Sequence, residues 1–351
     1  MRFSKKINTL RRKLMRGISS NIGKRKNNNP AKIMQPQVTH ILLIRPNNRL
    51  GNLLMISPLM QELIQNFPHC KIDLFVRGGL SPILFKNYAQ VERIIPLPKK
   101  PFKALIKYLK VWGRLRQKKY DLVFNIDSHS SSGRIATQLA RTNYKFFGDE
   151  NEDKLGAYPD ARHMAKRPVY LLRENLNLPI TQSLTAPIPS LSIKPDAAEL
   201  EKGKTILNSF FDQPRPVITL FTYATGPKCY STEWWADFFT ALSTRFPEYH
   251  FLEVLPAEKI SQLQHCIPGY HSMDVREICS VIAASTLFIG SDSGIMHLGA
   301  AAGIPSIGLF SVTDVAMYQP YNNGSLGINT NEMNTEQIMD VVSSLLGQAK
   351  Q

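Results

Sequence analysis

One polar turn in the second half of the chain carries several residue types that could bind a phosphate. In "FIGSDSGIMHLGAAAG", residues 288–303, a predicted strand runs into Asp292, Ser293 and Gly294 and then into a helix that carries His297. The first backbone N–H groups of a helix are unpaired and partly positive, which favours a bound anion. Asp292 and Ser293 could equally be ordinary helix caps. That interpretation does not explain His297 or the run of small residues at 299–303. The turn is therefore a candidate phosphate site.

A second polar turn, in "FTYATGPKCYSTEWW" at residues 221–235, has a similar character. It also follows a predicted strand, and Thr225, Gly226 and Lys228 offer a hydroxyl, exposed backbone amides and a cation. Such a set can hold a diphosphate without a metal ion, although Lys228 taken alone could be an ordinary surface lysine. Two such turns in parallel positions of one sheet favour a site for a nucleoside diphosphate.

A third turn lies near the start of the chain, in "IRPNNRLGNLLMISPLM" at residues 44–60. Strand-forming residues there run into a polar turn that ends at Gly51-Asn52, and a helix-forming stretch follows. Asn52 could cap this helix, and Ser57-Pro58 could mark a kink or the start of a second helix. This turn is a third candidate for contact with a substrate.

These turns belong to a regular alternation of short apolar runs and longer amphipathic runs. Predicted strands lie at 38–45, 71–77, 91–97, 120–127, 144–148, 216–223, 250–256, 286–292 and 305–311, and predicted helices at 52–66, 81–89, 101–117, 129–141, 161–176, 196–211, 232–246, 274–284, 294–303 and 335–347. Such alternation predicts right-handed βαβ units and parallel sheets covered on both faces. The expected fold class is α/β.

Chain length and a proline-rich interruption predict two domains. Single cores rarely grow beyond about 250 residues, and this chain has 351. Residues 178–196 carry four prolines and little periodicity, so we expect the domain connection there. The predicted division is a tail and linker at 1–37, a first Rossmann-like domain at 38–185 and a second at 186–351. Their parallel sheets should face each other across a cleft, with ligands at the carboxyl ends of the strands.

The basic charge is concentrated at one end of the chain. The formal net charge is +16, yet residues 1–61 contain 13 Lys/Arg and no acid, so the remaining 290 residues carry only +3. In the tail, "KKINTLRRKLMRGI" has apolar residues at helical spacing among basic ones, a pattern typical of a helix on an anionic membrane surface. A solvated, frayed terminus is the alternative. Nucleic acid is not expected as a partner, because Phe3 is the only aromatic residue among the tail's charges.

Several other kinds of site are disfavoured by the sequence. No apolar run approaches the roughly 20 residues that a membrane span needs. The four cysteines form no CxxC pair, so neither a zinc site nor a disulfide scaffold is expected. The acidic stretch 149–160 has Lys154 where an EF-hand loop needs glycine, and "SDS" at 291–293 has a single carboxylate. We therefore predict no metal and no other cofactor.

The turns resemble the signatures of a known family. "ILLIRPNNRLGNLLMISPLM" resembles the opening strand, the short loop ending in Gly-Asp and the helix of glycosyltransferase family 9, the ADP-heptose lipopolysaccharide heptosyltransferases and their relatives. "GSDSGIMHLGAA" resembles the family's G-N-D-T-G-P-M-H-L-A-A-A signature, and Thr313-Asp314 falls at the expected offset. The resemblance covers roughly residues 38–345. It implies a GT-B architecture and inverting transfer of a sugar from a nucleotide donor, without a catalytic metal.

The resemblance also implies roles for particular residues. Thr225 and Lys228 match the loop that binds the donor diphosphate, and Glu253, in "HFLEV", is placed like a residue near the adenosine ribose. The residues that match the donor-side loop and helix start are Asp292, Ser293, Gly294 and His297. On this basis the second domain, 186–351, would bind the donor and the first domain, 38–185, the acceptor.

Asn52 departs from the family pattern at the position that bears most on mechanism. The family has an aspartate there, the expected general base for the acceptor hydroxyl, whereas a neutral amide cannot accept a proton at pH 7. Asp127, at the end of "YDLVFNID", is the candidate substitute, although it could instead cap the next helix. His129 and His163 are weaker candidates. Transfer by positioning alone, or loss of catalysis, are the remaining alternatives.

Together these expectations describe an enzyme of cell-envelope glycan assembly. It would be a cytoplasmic glycosyltransferase, held at the inner face of the cytoplasmic membrane by its basic helix. Its reaction would move heptose or a related sugar from a nucleotide donor, ADP-linked by resemblance, to a lipid-linked acceptor such as lipopolysaccharide. The alternative is a sugar-nucleotide-binding homologue with impaired catalysis, with Asn52 as the sign of that loss.

Overall fold

The structure is a computed structural model, and it describes residues 17, 22–23, 38–98, 105–150, 152–176, 178 and 186–348. The predicted basic helix and linker of residues 1–37 lie outside the described residues, apart from residues 17, 22 and 23. The predicted domain boundary at residue 185 also falls outside them and stays a prediction. None of the helices within the described ranges is long and apolar enough to cross a membrane.

The first half of the chain forms a five-stranded parallel sheet. Its strands are β1 (His40–Ile44), β2 (Lys71–Arg77), β3 (Val91–Leu97), β4 (Lys119–Asn125) and β5 (Arg141–Phe146). The order across the sheet is β3-β2-β1-β4-β5, so β1 lies in the middle. Four of the five residues of β1 are buried, because helices cover both faces of such a sheet. Ile44 of β1 lies beside Asn125 of β4, which brings together the turns that follow these two strands.

Several helices of this half are shorter than their sequence patterns predict. They are α1 (Leu50–Leu54), α2 (Ser57–Asn66), α3 (Ser81–Leu84), α4 (Leu105–Arg114), α5 (Ser131–Leu139) and α6 (Arg167–Asn175), with a 3₁₀ turn at Glu152–Ala157. The predicted helix 52–66 is two helices, because the Ser57 hydroxyl donates to the Leu54 carbonyl (2.7 Å) and closes the first. The predicted helix 81–89 ends after four residues at Phe85, whose backbone leaves the helical conformation and whose side chain is buried.

The second half forms a six-stranded parallel sheet. Its strands are β6 (Val217–Phe221), β7 (His250–Val254), β8 (Gly269–Tyr270), β9 (Leu287–Ser291), β10 (Ser306–Phe310) and β11 (Leu326–Asn329), in the order β11-β10-β9-β6-β7-β8. Its helices are α7 (Ala197–Asn208), α8 (Thr232–Arg245), α9 (Val275–Ala283), α10 (Gly294–Ala301), α11 (Val315–Tyr318) and α12 (Thr335–Gln348). The sequence pattern does not predict β8, β11 or α11, because runs this short carry no recognisable periodicity.

Apolar packing joins the two halves. The largest core cluster contains both Leu43 of β1 and Met296 of α10, so the facing surfaces of the two domains share one core. A second cluster, around Trp235, lies within the second domain, and a third, around Val111, lies under α4 in the first. The arrangement leaves the carboxyl ends of both sheets close to each other.

Hydrogen bonds reinforce this junction away from the strand ends. Ser192, in the segment before α7, donates its N–H to Ser57 Oγ of the first domain at 3.0 Å. Arg276 of α9 is 2% exposed and donates to the carbonyls of Leu84 (3.2 Å) and Ile193 (2.9 Å). A buried arginine with its donors used in this way fixes one domain on the other.

Candidate active site

A cleft of about 700 Å³ lies between the carboxyl ends of the two sheets. The turn after β1 and helix α1 form one wall, and the turns after β6, β9 and β10 form the other. The predicted site residues that line it are Asn52, Thr225, Lys228, Asp292, Ser293, Gly294 and His297. Asp127 and Glu253 do not line it. Most of the predicted site residues thus lie together, because the turns after parallel strands meet at the carboxyl edge of a sheet.

Asn52 faces the cleft from the first domain. It is the third residue of α1, whose N-cap is Arg49, so the prediction that Asn52 caps this helix is wrong. Its Oδ1 accepts a hydrogen bond from Arg45 Nη2 at 2.8 Å. With its oxygen engaged, the amide has mainly N–H donors to offer to a ligand.

Arg45 is the most consequential residue that motif reading missed. It follows β1 directly and is 1% exposed. Burial lowers the pKa of Arg45 from its ordinary value, and nearby Asp127 and Tyr318 act in the opposite direction. Its Nε and Nη1 have no hydrogen-bond partner within the described part of the chain. The sequence signal was present, since Arg45 is the charged residue that ends the apolar run "ILLI", and a buried guanidinium favours a negative group nearby.

Asp127 lies beside Arg45 but outside the lining of the cleft. β4 ends at Asn125, two residues before the predicted end, and the Asn125 amide donates to the Asp127 carbonyl at 2.9 Å. Asp127 Oδ1 accepts the N–H of His129 at 3.1 Å, and His129 itself is exposed. The N-cap of α5 is Ser130, so Asp127 is not that cap. The half-buried Asp127 carboxylate is close enough to raise the pKa of Arg45 against the effect of burial, and its role as a base stays a prediction.

Lys228 and Asp292 form an ion pair in the opposite wall. Lys228 Nζ lies 2.6 Å from Asp292 Oδ2, with the lysine side chain 35% exposed at the cleft. Ser293 caps α10, because its Oγ accepts the N–H of Met296 at 3.2 Å. The pair thus holds the Lys228 ammonium beside the start of α10. The ammonium and the free N–H groups of the helix start are positive, which suits a diphosphate.

The turn that carries Lys228 depends on a glycine. Gly226 has a φ of +68°, in the left-handed region that glycine adopts without steric cost. This lets the chain enter the 3₁₀ turn Gly226–Lys228 directly after Thr225, whose hydroxyl does not cap that turn. The turn therefore presents a hydroxyl and a cation to the same part of the cleft.

Glu253 is buried within β7 and faces away from the cleft. Its carboxylate accepts hydrogen bonds from the hydroxyls of Thr222 and Ser261, both at 2.5 Å. Burial raises the pKa of Glu253 above its ordinary value, and the two hydroxyl donors lower it in part. In this structure Glu253 braces the turn after β6 through Thr222, and its contact with a donor ribose stays a prediction.

Two glycines let the domains meet at the floor of the cleft. A Cβ on Gly51 would lie 2.4 Å from Cδ2 of His297, and a Cβ on Gly294 would lie 3.0 Å from that of Leu50. His297 is 5% exposed, and its Nδ1 has no hydrogen-bond partner among the residues described. Burial lowers the pKa of His297 to about 3. The ring is therefore neutral at pH 7 and adds no charge to the site.

We expect Gly51→Ala to lower the free energy of unfolding by about 1–3 kcal/mol, the usual cost of overpacking. The buried His297 ring can make room only if α1 and α10 move apart. Equilibrium denaturation measures the change. Gly156→Ala is the matched control, because a Cβ there meets nothing within 4 Å. Equal stability of the two variants would contradict the tight contact.

His163, one of the weaker base candidates, lies at the domain junction and not in the cleft lining. It is 2% exposed, and its Nε2 lies 2.8 Å from the Gln319 carbonyl. Its Nδ1 accepts the N–H of Ala165 at 3.2 Å, which assigns the proton to Nε2. Burial lowers the pKa of His163 to about 4. These contacts give His163 a structural role between the domains.

The two buried histidines predict a pH-dependent stability. Their folded pKa values of about 4 and 3 lie below the ordinary 6.5, so the unfolded chain takes up protons first as the pH falls. Their contribution is full above pH 6.5 and should fall by up to about 1.4 kcal/mol per pH unit for each histidine between pH 6.5 and 4. Denaturation at pH 7 and pH 5 should show a smaller difference for His163→Gln than for the exposed-site control His69→Gln. An identical pH dependence in both variants would count against this assignment.

Other cleft residues come from short or irregular segments. Arg49 and Tyr223 lie in the turns after β1 and β6, and Tyr318 lies in the four-residue helix α11. The Tyr318 ring is 6.4 Å from that of His297, centroid to centroid. Tyr223 could have been predicted as a cleft residue because it lies just after a strand. No pattern in the sequence predicts that Tyr318 lies in the cleft.

No metal-binding cluster of three or more His, Cys, Asp or Glu side chains occurs within the described ranges. Several acids of the stretch 149–160 are paired with basic side chains. Asp149 pairs with Arg134 at 2.8 Å, and Glu152 pairs with Arg167 at 2.8 Å. Independence from metal stays an expectation.

Known proteins resemble this chain in sequence and in fold. The sequence model of glycosyltransferase family 9 (heptosyltransferase) matches residues 108–344. Lipooligosaccharide heptosyltransferase 2 of Campylobacter jejuni is 24% identical over 294 residues, which cover 78% of this chain and 82% of the relative. The solved ADP-heptose lipopolysaccharide heptosyltransferase II of E. coli has a TM-score of 0.62 at 17% identity, covering 89% of this chain and 100% of the other. An E. coli heptosyltransferase solved with ADP has a TM-score of 0.65 at 16% identity, covering 88% and 100%.

The solved structures share the two-domain GT-B fold with this chain, which confirms the predicted architecture. The family match extends from α4 to α12 and includes the turns after β6, β9 and β10 that form one wall of the cleft. It spans more than half of the chain. The chain therefore belongs to glycosyltransferase family 9, the heptosyltransferase family, and is a glycosyltransferase.

Proposed function

We propose that this protein transfers heptose, or a related sugar, from an ADP-linked donor to a lipid-linked acceptor of the cell envelope, such as a lipopolysaccharide precursor. The observation that carries the proposal is the difference between the two walls of the cleft. Lys228, held by its ion pair with Asp292, and the N–H groups at the start of α10 place donors for a diphosphate on one wall, and Asn52 offers amide donors from the other. The named relatives, heptosyltransferases of lipooligosaccharide and lipopolysaccharide, support this donor and acceptor.

The proposed reaction inverts the anomeric centre and uses no metal. The acceptor hydroxyl attacks the anomeric carbon on the side opposite the diphosphate, the bond from that carbon to the diphosphate oxygen breaks, and ADP leaves. Lys228 and the N–H groups at the start of α10 stabilise the negative charge that grows on the diphosphate. Asn52 orients the acceptor by donating a hydrogen bond, and the hydroxyl proton passes to Asp127 as the candidate base.

A second candidate is a family member that binds the sugar nucleotide but has impaired catalysis. Asn52 favours it, because this residue lines the cleft while its oxygen already accepts a bond from Arg45. An amide in that state cannot take a proton from the acceptor. The two candidates share the donor site and differ in whether a carboxylate reaches the acceptor hydroxyl.

A donor screen followed by a transfer assay tests both candidates. ADP-heptose and ADP should raise Tm in a concentration-dependent way, because a ligand that binds only the folded state stabilises it. Release of ADP in the presence of a lipopolysaccharide acceptor, undiminished by EDTA, would support metal-independent transfer. Stabilisation by another nucleotide sugar but not by ADP-heptose would overturn the donor assignment. Donor binding without ADP release, over a range of envelope acceptors, would favour the impaired homologue.

A further inference from the structure

A second concentration of positive charge lies in the first domain, apart from the tail. Residues 93–120 contain ten Lys/Arg and no acid, whereas the rest of residues 62–351 contains 20 basic and 27 acidic residues. The excess is therefore local to α4 and its flanks and is not a general property of the folded body. A local excess of this kind identifies a surface that attracts anions.

The inner face of α4 is fully engaged with its own domain. Tyr108, Val111, Trp112 and Leu115 pack in the core cluster on the first sheet, at helical spacing. The Trp112 ring lies 5.5 Å from that of Phe75, centroid to centroid. The aromatic residues of the helix are thus turned towards the sheet.

The outer face of α4 carries a stripe of one apolar and two basic side chains. Ile106, Lys110 and Arg114 are four residues apart in turn, which places them along one side of the helix. All three are exposed, and Ile106 is 73% exposed. Neither Lys110 nor Arg114 forms an ion pair with any acid that the structure describes.

The basic surface continues past the end of α4. Lys119 of β4 and Arg141 of β5 are register partners on adjacent strands, and Arg141 Nη1 donates to the Arg116 carbonyl at 3.4 Å. Burial and the nearby charge of Arg116 both lower the pKa of Lys145 on β5. Like charges crowded in this way repel each other, and an extended anionic partner would relieve the repulsion.

We propose that this face, defined by Ile106, Lys110, Arg114, Arg116 and Lys119, docks on the surface of an anionic lipid bilayer. Basic side chains attract anionic head groups, while an exposed isoleucine can enter the boundary between head groups and acyl chains. A nucleic acid fits less well, because the aromatic rings of α4 point inward and leave none fully exposed on the described part of this face.

The position of α4 relates the face to the cleft. α4 connects β3 to β4, so Ile106 at its start lies near the carboxyl edge of the first sheet, whereas Arg116 and Lys119 lie near the amino edge, where β4 begins. The docking face therefore extends along the side of the first domain, with only its Ile106 end near the edge that carries the turn with Asn52. The docking itself does not depend on which sugar is transferred, or on whether transfer occurs.

Co-sedimentation of the full chain with vesicles tests the proposal. The triple variant Lys110→Gln, Arg114→Gln, Arg116→Gln should bind phosphatidylglycerol/phosphatidylcholine vesicles roughly 100-fold more weakly than the parent, at about fivefold for each basic side chain removed. The control Lys204→Gln, Arg215→Gln, Lys259→Gln removes the same charge from exposed positions of the second domain and should bind as the parent does. Thermal melting of each variant verifies that it is folded.

The outcomes separate this face from the tail and from other partners. Weaker binding of the first variant alone, together with weaker binding of Ile106→Ser at moderate salt, supports docking through α4. Equal vesicle binding by all variants would overturn the proposal and leave any membrane contact to other residues. Equal losses of vesicle binding in both triple variants would show that only net charge matters, which would also overturn the proposal. Loss of single-stranded oligonucleotide binding in the first triple variant, with its vesicle binding unchanged, would assign the face to nucleic acid instead.

Discussion

Replacing Lys228 with alanine should weaken the binding of an ADP-linked donor roughly 10- to 100-fold. A hydrogen bond to a charged group contributes about 1.5–3 kcal/mol, and each 1.4 kcal/mol is about tenfold in affinity. The substitution also leaves Asp292, which is 7% exposed, without the cation 2.6 Å away. The unpaired carboxylate would then repel the diphosphate. Isothermal titration with ADP and with ADP-heptose measures the change.

Two further variants distinguish the effect of Lys228 from the effect of removing any positive charge from the second domain. Lys204→Ala removes an exposed lysine of the same domain and should leave the donor Kd unchanged. Asp292→Ala should weaken donor binding strongly as well, because Lys228 loses the carboxylate that fixes its position. If Lys228→Ala bound ADP as tightly as the parent, the diphosphate would have to lie elsewhere in the cleft.

If no carboxylate acts as the base in the parent, Asn52→Asp is expected to raise kcat roughly 100-fold, since a positioned general base contributes about 10²–10⁴-fold. In the parent, Arg45 donates to the Asn52 oxygen at 2.8 Å. One oxygen of the new carboxylate could accept that bond, and the other could face the acceptor hydroxyl. The adjacent guanidinium would hold the pKa of that carboxyl low, so it would be ionised at pH 7. The same pairing makes it a weaker base, which is why we expect the lower part of the range. Steady-state transfer assays measure kcat.

Asp127→Asn, made in the parent and in the Asn52→Asp chain, shows which carboxylate takes the proton. If Asp127 is the base in the parent, Asp127→Asn should remove most of the activity of the parent. In the Asn52→Asp chain the same change should remove much less, because residue 52 then supplies a carboxylate. An unchanged rate in Asn52→Asp alone would point to Asp127 or to transfer without a base. A lost rate would mean that the Asn52 amide is itself needed as a donor to the acceptor.

The two sheets could be predicted because a buried parallel strand requires a short continuous apolar run. β6, β9 and β10 are buried at every position, and each is such a run in the sequence. Since the turns after parallel strands meet at one edge, Thr225, Lys228 and Asp292 could be grouped before their positions were known. Helix ends were less predictable, as α3 shows, because the amphipathic pattern of residues 81–89 continues past Leu84, where the helix stops.

Side-chain direction limited the prediction at two residues. Glu253 lies inside β7, where the hydroxyls of Thr222 and Ser261 satisfy it away from the cleft. Asp127 lies two residues beyond its strand, in a loop shaped by the Asn125 amide. Neither hydrogen-bond pattern has a signature in the sequence, because the partners lie at strand ends or in loops whose positions depend on neighbouring strands.

By itself, the sequence determined the alternation of strands and helices, the polar turns at their ends and the family to which those turns point. Only the tertiary structure decided what the turns touch: Arg45 reaches Asn52, Lys228 reaches Asp292, and Gly51 leaves space for His297. Hydrophobic periodicity reports which face of an element is buried. A hydrogen bond or a steric contact depends on distances of a few tenths of an ångström between groups far apart in the chain, and those distances are fixed only when the two domains pack together.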